Sequence, residues 1–199
     1  QEVLQEAQRE LLDFKGSGMS ILESSHRGKE YDAVHAEAVA NYKQLLGCSD
    51  DYAVLFVAGG ASMQFAMVPL NLLGTGQTAD YINSGAWADK AIKEAAHIGQ
   101  VHVAADCGKE IPTRVPAPAD LKLTPGAAYV HLTSNETISG AQWKTFPKTD
   151  APLVADMSSD ILSRPFDINQ FVLVYAGAQK NLGPSGIALV VIRKDLAER

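Results

Sequence analysis

From Tyr52 onward the chain keeps returning to one texture: a short apolar run without polar alternation, then a turn of glycine or small polar residues. The runs are "YAVLFVAGG", "TADYIN", "QVHVAA", "AAYVHLTSN", "APLVADMSSD", "FVLVYAG" and "IALVVIRKD". Between them "ASMQFAMVPLNLL" and "AWADKAIKEAAHIG" read as helices. A strand that is apolar on both sides has to be covered on both faces. Interleaved with helices, such strands predict an α/β fold, a three-layer sandwich with a mainly parallel sheet. The Pro-rich stretch "EIPTRVPAPADLKLTPG" reads as a surface crossover, because the same texture resumes after it. With 199 residues, 46% of them hydrophobic, the chain can bury one sizeable core.

The first fifty residues are different. Leu4, Ala7, Leu11 and Phe14 recur at helical spacing until "KGSG" stops the pattern. A second helical pattern runs from about Asp32 to Leu46, with Val34, Ala38, Tyr42 and Leu45 on one face and Gly47 placed as a C-cap. The first residue is Gln1, already inside an amphipathic pattern, so the chain is expected to be part of a longer one.

Charge and cysteine content narrow the partners. A net charge of −6 argues against a nucleic-acid or anionic-membrane surface, while leaving room for a local basic pocket. No apolar run approaches the ~20 residues that cross a bilayer. Cys48 and Cys107 stand far apart with no CxxC pair, which points to free thiols in a reducing, cytoplasmic setting and to no metal site.

In a parallel sheet covered on both faces, ligands bind beyond the carboxyl ends of the strands. The residues expected there are unusually polar. "VAGGASMQF" sets two glycines and Ser62 between a strand and a helix. That is either a tight turn or a cradle of backbone amides for a phosphate. It matches neither GxGxxG nor GxxxxGK[ST], which disfavours a dinucleotide or a nucleoside triphosphate. Trp87 opens a helix just past a strand, as a core side chain or as a flat face for a ring. Asp156 ends a buried strand, either capping the next turn or pairing with a cationic ligand atom. Lys180, in "YAGAQKNLGPSG", is a surface lysine in a tight loop or a nucleophile aimed at a carbonyl. "SHRGK" gathers His26, Arg27 and Lys29, as a solvated turn or as a clamp for an acidic group. A ligand with a phosphate, a flat ring, a protonated ring nitrogen and an aldehyde would use all of these, and pyridoxal phosphate fits that description.

Six blocks in order, "GMSILESSHRGKEY", "LFVAGGASMQF", "TADYINSGAWADKAIKEA", "YVHLTSNETISGAQW", "VADMSSDILSRPFD" and "YAGAQKNLGPSG", closely resemble the phosphoserine aminotransferases, class-V aminotransferases of fold type I. The resemblance covers nearly the whole chain from Gly18. It implies that residues 1–199 are a pyridoxal-phosphate-binding large domain of the aspartate-aminotransferase type. An N-terminal segment and a small C-terminal domain of the family would lie outside it. It implies a cytoplasmic homodimer with shared active sites. The reaction would pass the amino group of glutamate to phosphohydroxypyruvate, giving phosphoserine for serine biosynthesis and, in some bacteria, serving vitamin B6 synthesis. Carried over by position, Lys180 would bind the cofactor aldehyde covalently and Asp156 would pair with the pyridine nitrogen. Trp87 would stack on the ring and Thr137 would hydrogen-bond to the cofactor. Ala61, Ser62 and Gln179 would hold its phosphate, and His26 and Arg27 would contact the substrate's acidic groups. Ser62 stands where some members have arginine, so part of the substrate-phosphate grip would differ. The alternatives are another fold type I enzyme, of the serine–glyoxylate aminotransferase or cysteine desulfurase type, and a cofactor-binding module without activity.

Overall fold

The computed structural model describes residues 1–107 and 114–197, so residues 110–113 of the Pro-rich crossover lie outside the described residues. The chain divides into two units, Gln1–Gln44 and Leu45–Arg199.

The first unit holds α1 (Glu2–Glu10) and most of α2 (Lys29–Leu46). Here α1 stops before Leu11 and Phe14, which the apolar spacing had placed on the helix. Local hydrogen bonds compete with another helical turn. The Gly18 N–H donates to Asp13 Oδ1 at 2.8 Å and the Phe14 N–H to the Met19 carbonyl at 2.8 Å. Gly16 and Gly18 at positive φ close that loop. A 3-10 turn follows at Ile21–Glu23, fixed by a reciprocal box. The Ser20 hydroxyl accepts from the Leu22 N–H, and the Glu23 carboxylate accepts from the Ser20 N–H. Gly47, at φ 66°, follows α2 as expected of a helix end.

Among the described residues the second unit holds seven strands: β1 (Tyr52–Ala58), β2 (Thr78–Asn83), β3 (Gln100–Asp106), β4 (Val130–Thr133), β5 (Leu153–Asp156), β6 (Leu173–Gly177) and β7 (Ile187–Arg193). Their order in the sheet is β1-β7-β6-β5-β4-β2-β3. All neighbours are parallel except β7, which is antiparallel to both β1 and β6. The reversal has a simple cause. A parallel crossover needs about a dozen residues or more, and β6 is joined to β7 by residues 178–186 alone. Two successive reversals return β1 to the direction of β6, so β1 ends on the same edge of the sheet as β2 to β6.

Successive residues of the central strands are buried on both faces, among them Val154 and Ala155, and Tyr175 and Ala176. This is the covered sheet that the apolar runs predicted. Helices α3 (Gly60–Leu72) and α4 (Ala86–Ala96) pack on each other, α3 against β6 and β7 and α4 against β2, β3 and β4. Phe65 of α3 meets Tyr175 edge-on at 6.3 Å within that layer. The short α5 (Ala178–Asn181) and α6 (Lys194–Ala197) flank β7. Among the described residues no helix is long and apolar enough to cross a membrane.

Candidate active site

The strand ends meet where β6 runs into α5. Lys180 sits on this single helical turn, not in an irregular loop as its glycine-rich surroundings suggested. The turn is held by the Leu182 and Gly183 N–H groups, both donating to the Ala178 carbonyl, at 3.0 and 2.8 Å. The Asn181 side-chain amide also donates to the Ile161 carbonyl at 2.5 Å. The Lys180 ammonium donates to Thr137 Oγ1 at 2.7 Å and lies 4.3 Å from the centre of the Trp87 ring. Three residues from three strand ends are thereby brought together. Thr137, Gln179 and Lys180 are exposed, and Trp87 is half-buried.

Asp156, only 4% exposed, lies within electrostatic reach of Lys180. Its Oδ1 accepts from the Ser158 N–H at 2.9 Å and from the Ser158 hydroxyl at 2.6 Å. The same hydroxyl accepts from the Gly177 N–H at 2.9 Å, which ties the end of β5 to the end of β6. Burial pushes the Asp156 carboxyl above its ordinary value. The Ser158 bonds and the Lys180 charge pull the other way, and Glu136 adds a smaller push upward. Both hydrogen bonds go to Oδ1, which leaves Oδ2 for a ligand. A cation placed there would hold the carboxylate ionised despite its burial.

The glycine turn after β1 faces the same place. Gly59 caps α3 at φ 102°, and a Cβ there would fall 2.9 Å from that of Met63, so only glycine fits. No side chain caps α3, which leaves the amides of its first turn, at Ala61 and Ser62, for another acceptor. A Cβ on Gly177 would lie 2.9 Å from Gln179 Oε1 and 3.2 Å from the Ala61 nitrogen. Gly177 therefore leaves a hollow with a helix-start amide on one side and the Gln179 amide on the other. That is the donor set of an anion cradle. The Trp87 Nε1 and Thr133 Oγ1 atoms, buried near these strand ends, have no hydrogen-bond partner among the described residues.

Two features were not read from the sequence as part of the site. Lys90, one helical turn beyond Trp87, places its ammonium 4.4 Å from the indole centre, a contact that the i, i+3 spacing on α4 allows. Glu136, 1% exposed, accepts from the Trp87 and Ala88 N–H groups at 3.0 Å each. Its only sequence signal is its place in a polar strand end. His26 and Arg27 lie in the first unit, exposed, in a turn closed by the Gly28 N–H donating to the Ser25 carbonyl at 2.8 Å. Ser62 is exposed in the first turn of α3. Cys48 and Cys107 are not disulfide-bonded, and no cluster of three or more metal-ligating side chains occurs among the described residues. A broad groove of about 830 Å³ lies at the opposite edge, where β5 and β6 begin, and is lined by none of the residues grouped above.

A lysine, a buried carboxylate, a tryptophan face and an amide-lined hollow at the carboxyl edge of a parallel sheet agree with a comparison of the whole sequence. The model of the class-V aminotransferases matches residues 1–199. The chain belongs to the class-V aminotransferase family. Among its relatives is the phosphoserine aminotransferase of Niallia circulans, 59% identical over 98% of this chain and 54% of its own length. The phosphoserine aminotransferase structure from Bacillus circulans subsp. alkalophilus superposes with a TM-score of 0.96 at 58% identity, covering 100% of this chain and 55% of that one. A PLP-bound phosphoserine aminotransferase from Trichomonas vaginalis gives 0.94 at 40% identity, covering 100% of this chain and 56% of that one. The chain spans about half the length of the curated relatives it matches.

Proposed function

We propose that residues 1–199 are the cofactor-binding large domain of a phosphoserine aminotransferase, active as a homodimer in the cytoplasm. The reaction moves an amino group from glutamate to phosphohydroxypyruvate. The observation that carries this reading is the convergence of Lys180, Thr137 and Trp87 from three strand ends, at 2.7 and 4.3 Å, above the buried Asp156. The high similarity to phosphoserine aminotransferases, at 59% identity for the Niallia circulans protein, supports the substrate assignment.

The residues present fit pyridoxal phosphate. The hollow left by Gly177, the uncapped first turn of α3 and Gln179 suit a phosphate. Oδ2 of Asp156 suits a protonated ring nitrogen, and the exposed face of Trp87 suits the ring. When bound, the cofactor supplies an aldehyde for amines to join and a ring that takes up the electron pair left at a substrate's alpha carbon.

The chain's own residues divide the remaining work. Lys180 Nζ would be the amine that joins the cofactor's aldehyde and the group that moves a proton at the substrate alpha carbon. Thr137 Oγ1, which accepts from that nitrogen, would also hydrogen-bond to the cofactor. Asp156 would pair with the ring nitrogen and favour its protonated form, with the Ser158 hydrogen bonds favouring the carboxylate. Trp87 would lie against the ring. The Ala61 and Ser62 amides and Gln179 would anchor the phosphate; by the resemblance to the family, His26 and Arg27 would take acidic groups of a substrate.

Incubation with pyridoxal phosphate tests the reading directly. The protein should acquire the visible absorbance of a lysine-linked cofactor, and Lys180→Ala should lack it. A protein that takes up no pyridoxal phosphate would refute the assignment. Turnover of glyoxylate but not of phosphohydroxypyruvate by the full-length enzyme would refute the substrate.

A further inference from the structure

We infer that Glu136 is a positioning residue for Trp87, fixing the indole against the cofactor ring through the backbone of α4. The inference rests on the pyridoxal phosphate reading above. Helix α4 has no cap of its own, because Gly85 stands at its N-cap without a side chain. Glu136, remote in sequence, replaces that cap. Its Oε2 accepts from the Trp87 N–H at 3.0 Å, and its Oε1 from the Ala88 N–H at 3.0 Å and the Ser84 hydroxyl at 3.3 Å. Bonds from amides to a carboxylate are among the stronger hydrogen bonds, and a negative charge at a helix N-terminus is favoured.

The fit is close on every side. A Cβ on Gly85 would lie 2.8 to 2.9 Å from the Glu136 side chain, and Gly85 takes φ 155° there. The Glu136 backbone is held as well: its N–H donates to the Ala141 carbonyl at 2.8 Å, and its carbonyl accepts from the Gly140 N–H at 2.7 Å. The next residue, Thr137, accepts from Lys180. Two consecutive residues of one loop thus set both partners of the proposed ring, Glu136 the stacking indole and Thr137 the lysine nitrogen. A carboxylate that served only to cap α4 would stabilise the fold, and its loss would have no effect specific to Trp87.

A double-mutant cycle separates the two roles. Pyridoxal phosphate dissociation constants are measured by fluorescence titration for the protein, Glu136→Gln, Trp87→Ala and the double variant. Glu136→Gln should weaken binding about tenfold when Trp87 is present and about twofold or less in Trp87→Ala. Equal factors in both backgrounds, or no weakening with Trp87 in place, would overturn the inference. If Glu136→Gln does not fold, Glu136→Asp moves the carboxylate back by one methylene and keeps its charge, and the same comparison decides. No uptake by the unsubstituted protein would overturn the function reading itself, a result distinct from uptake without coupling.

Discussion

Lys180 reaches across 2.7 Å to the hydroxyl of Thr137, joining the turn after β6 to the loop after β4. Neither side chain is buried, so the bond orders the lysine more than it stabilises the fold. Thr137→Val removes the acceptor and keeps the shape. It should leave the melting temperature nearly unchanged and weaken pyridoxal phosphate binding about fivefold, as loss of one hydrogen bond implies. Calorimetric titration beside a thermal melt checks both halves.

Gly177 allows a cleaner test of the cradle. Its φ and ψ, −66° and 125°, suit any residue, so alanine there introduces no backbone strain. The added methyl would press on the Ala61 nitrogen and the Gln179 side chain. Gly177→Ala should therefore weaken pyridoxal phosphate binding about tenfold or more, with binding of pyridoxal, which lacks the phosphate, nearly unaffected. Equal losses for both ligands would place the phosphate elsewhere.

Asp156 sets function against stability. Burial raises its carboxyl pKa in the folded chain above the unfolded value. The folded state then holds that proton more tightly, so stability is fully present below the unfolded value and is lost as pH rises through the folded one. Asp156→Asn, which still accepts from the Ser158 N–H, should raise the melting temperature of the cofactor-free protein by a few degrees at pH 7. It should leave the melting temperature almost unchanged below about pH 4. The same variant should bind pyridoxal phosphate much more weakly. Melts at the two pH values and one titration suffice.

His131 carries the opposite dependence. It is buried among Tyr81, stacked at 4.7 Å, and Tyr175, whose hydroxyl lies 2.9 Å from Nε2. Burial lowers its pKa from 6.5 to about 3. Stability from its neutral form is present above the unfolded value and is lost as pH falls from about 6.5 toward 3, a span worth on the order of 5 kcal/mol. His131→Phe should flatten that acid limb, read as the change in unfolding free energy between pH 7 and pH 4. An acid limb as steep as before would assign the dependence to other groups.

The sheet was legible because its central strands are buried on both faces, and "FVLVYAG" or "PLVAD" has no other good use in a folded chain. The residues at the strand ends were legible for a related reason. Asp156 and Lys180 break runs where a purely structural chain would stay apolar or turn at once. What escaped depends on geometry that no local pattern carries. The end of α1 was decided by a local loop, in which an Asp13 side-chain bond, a Phe14 backbone bond and two glycines at positive φ compete with another helical turn. The antiparallel sense of β7 leaves no mark on its apolar residues, and only the shortness of residues 178–186 hints at it. Glu136 meets α4 from 49 and 48 positions away, so neither periodicity nor capping rules could connect them. Gly85, a helix N-cap without a polar side chain, leaves that cap to be supplied from elsewhere.

The place of β1 in the sheet has a consequence for how the chain comes to fold. Among the described strands its only neighbour is β7, so β1 has no partner in this sheet until β7 has been made. The Gly59–Ser62 turn hangs from β1, whereas Gln179 precedes β7 by less than ten positions. On the ribosome, β2 to β6 can assemble into a growing sheet while β1 waits unpaired. The hollow between the Gly59–Ser62 turn and Gln179 then forms only when β7 reaches β1, as one long-range closure added to strands already in place.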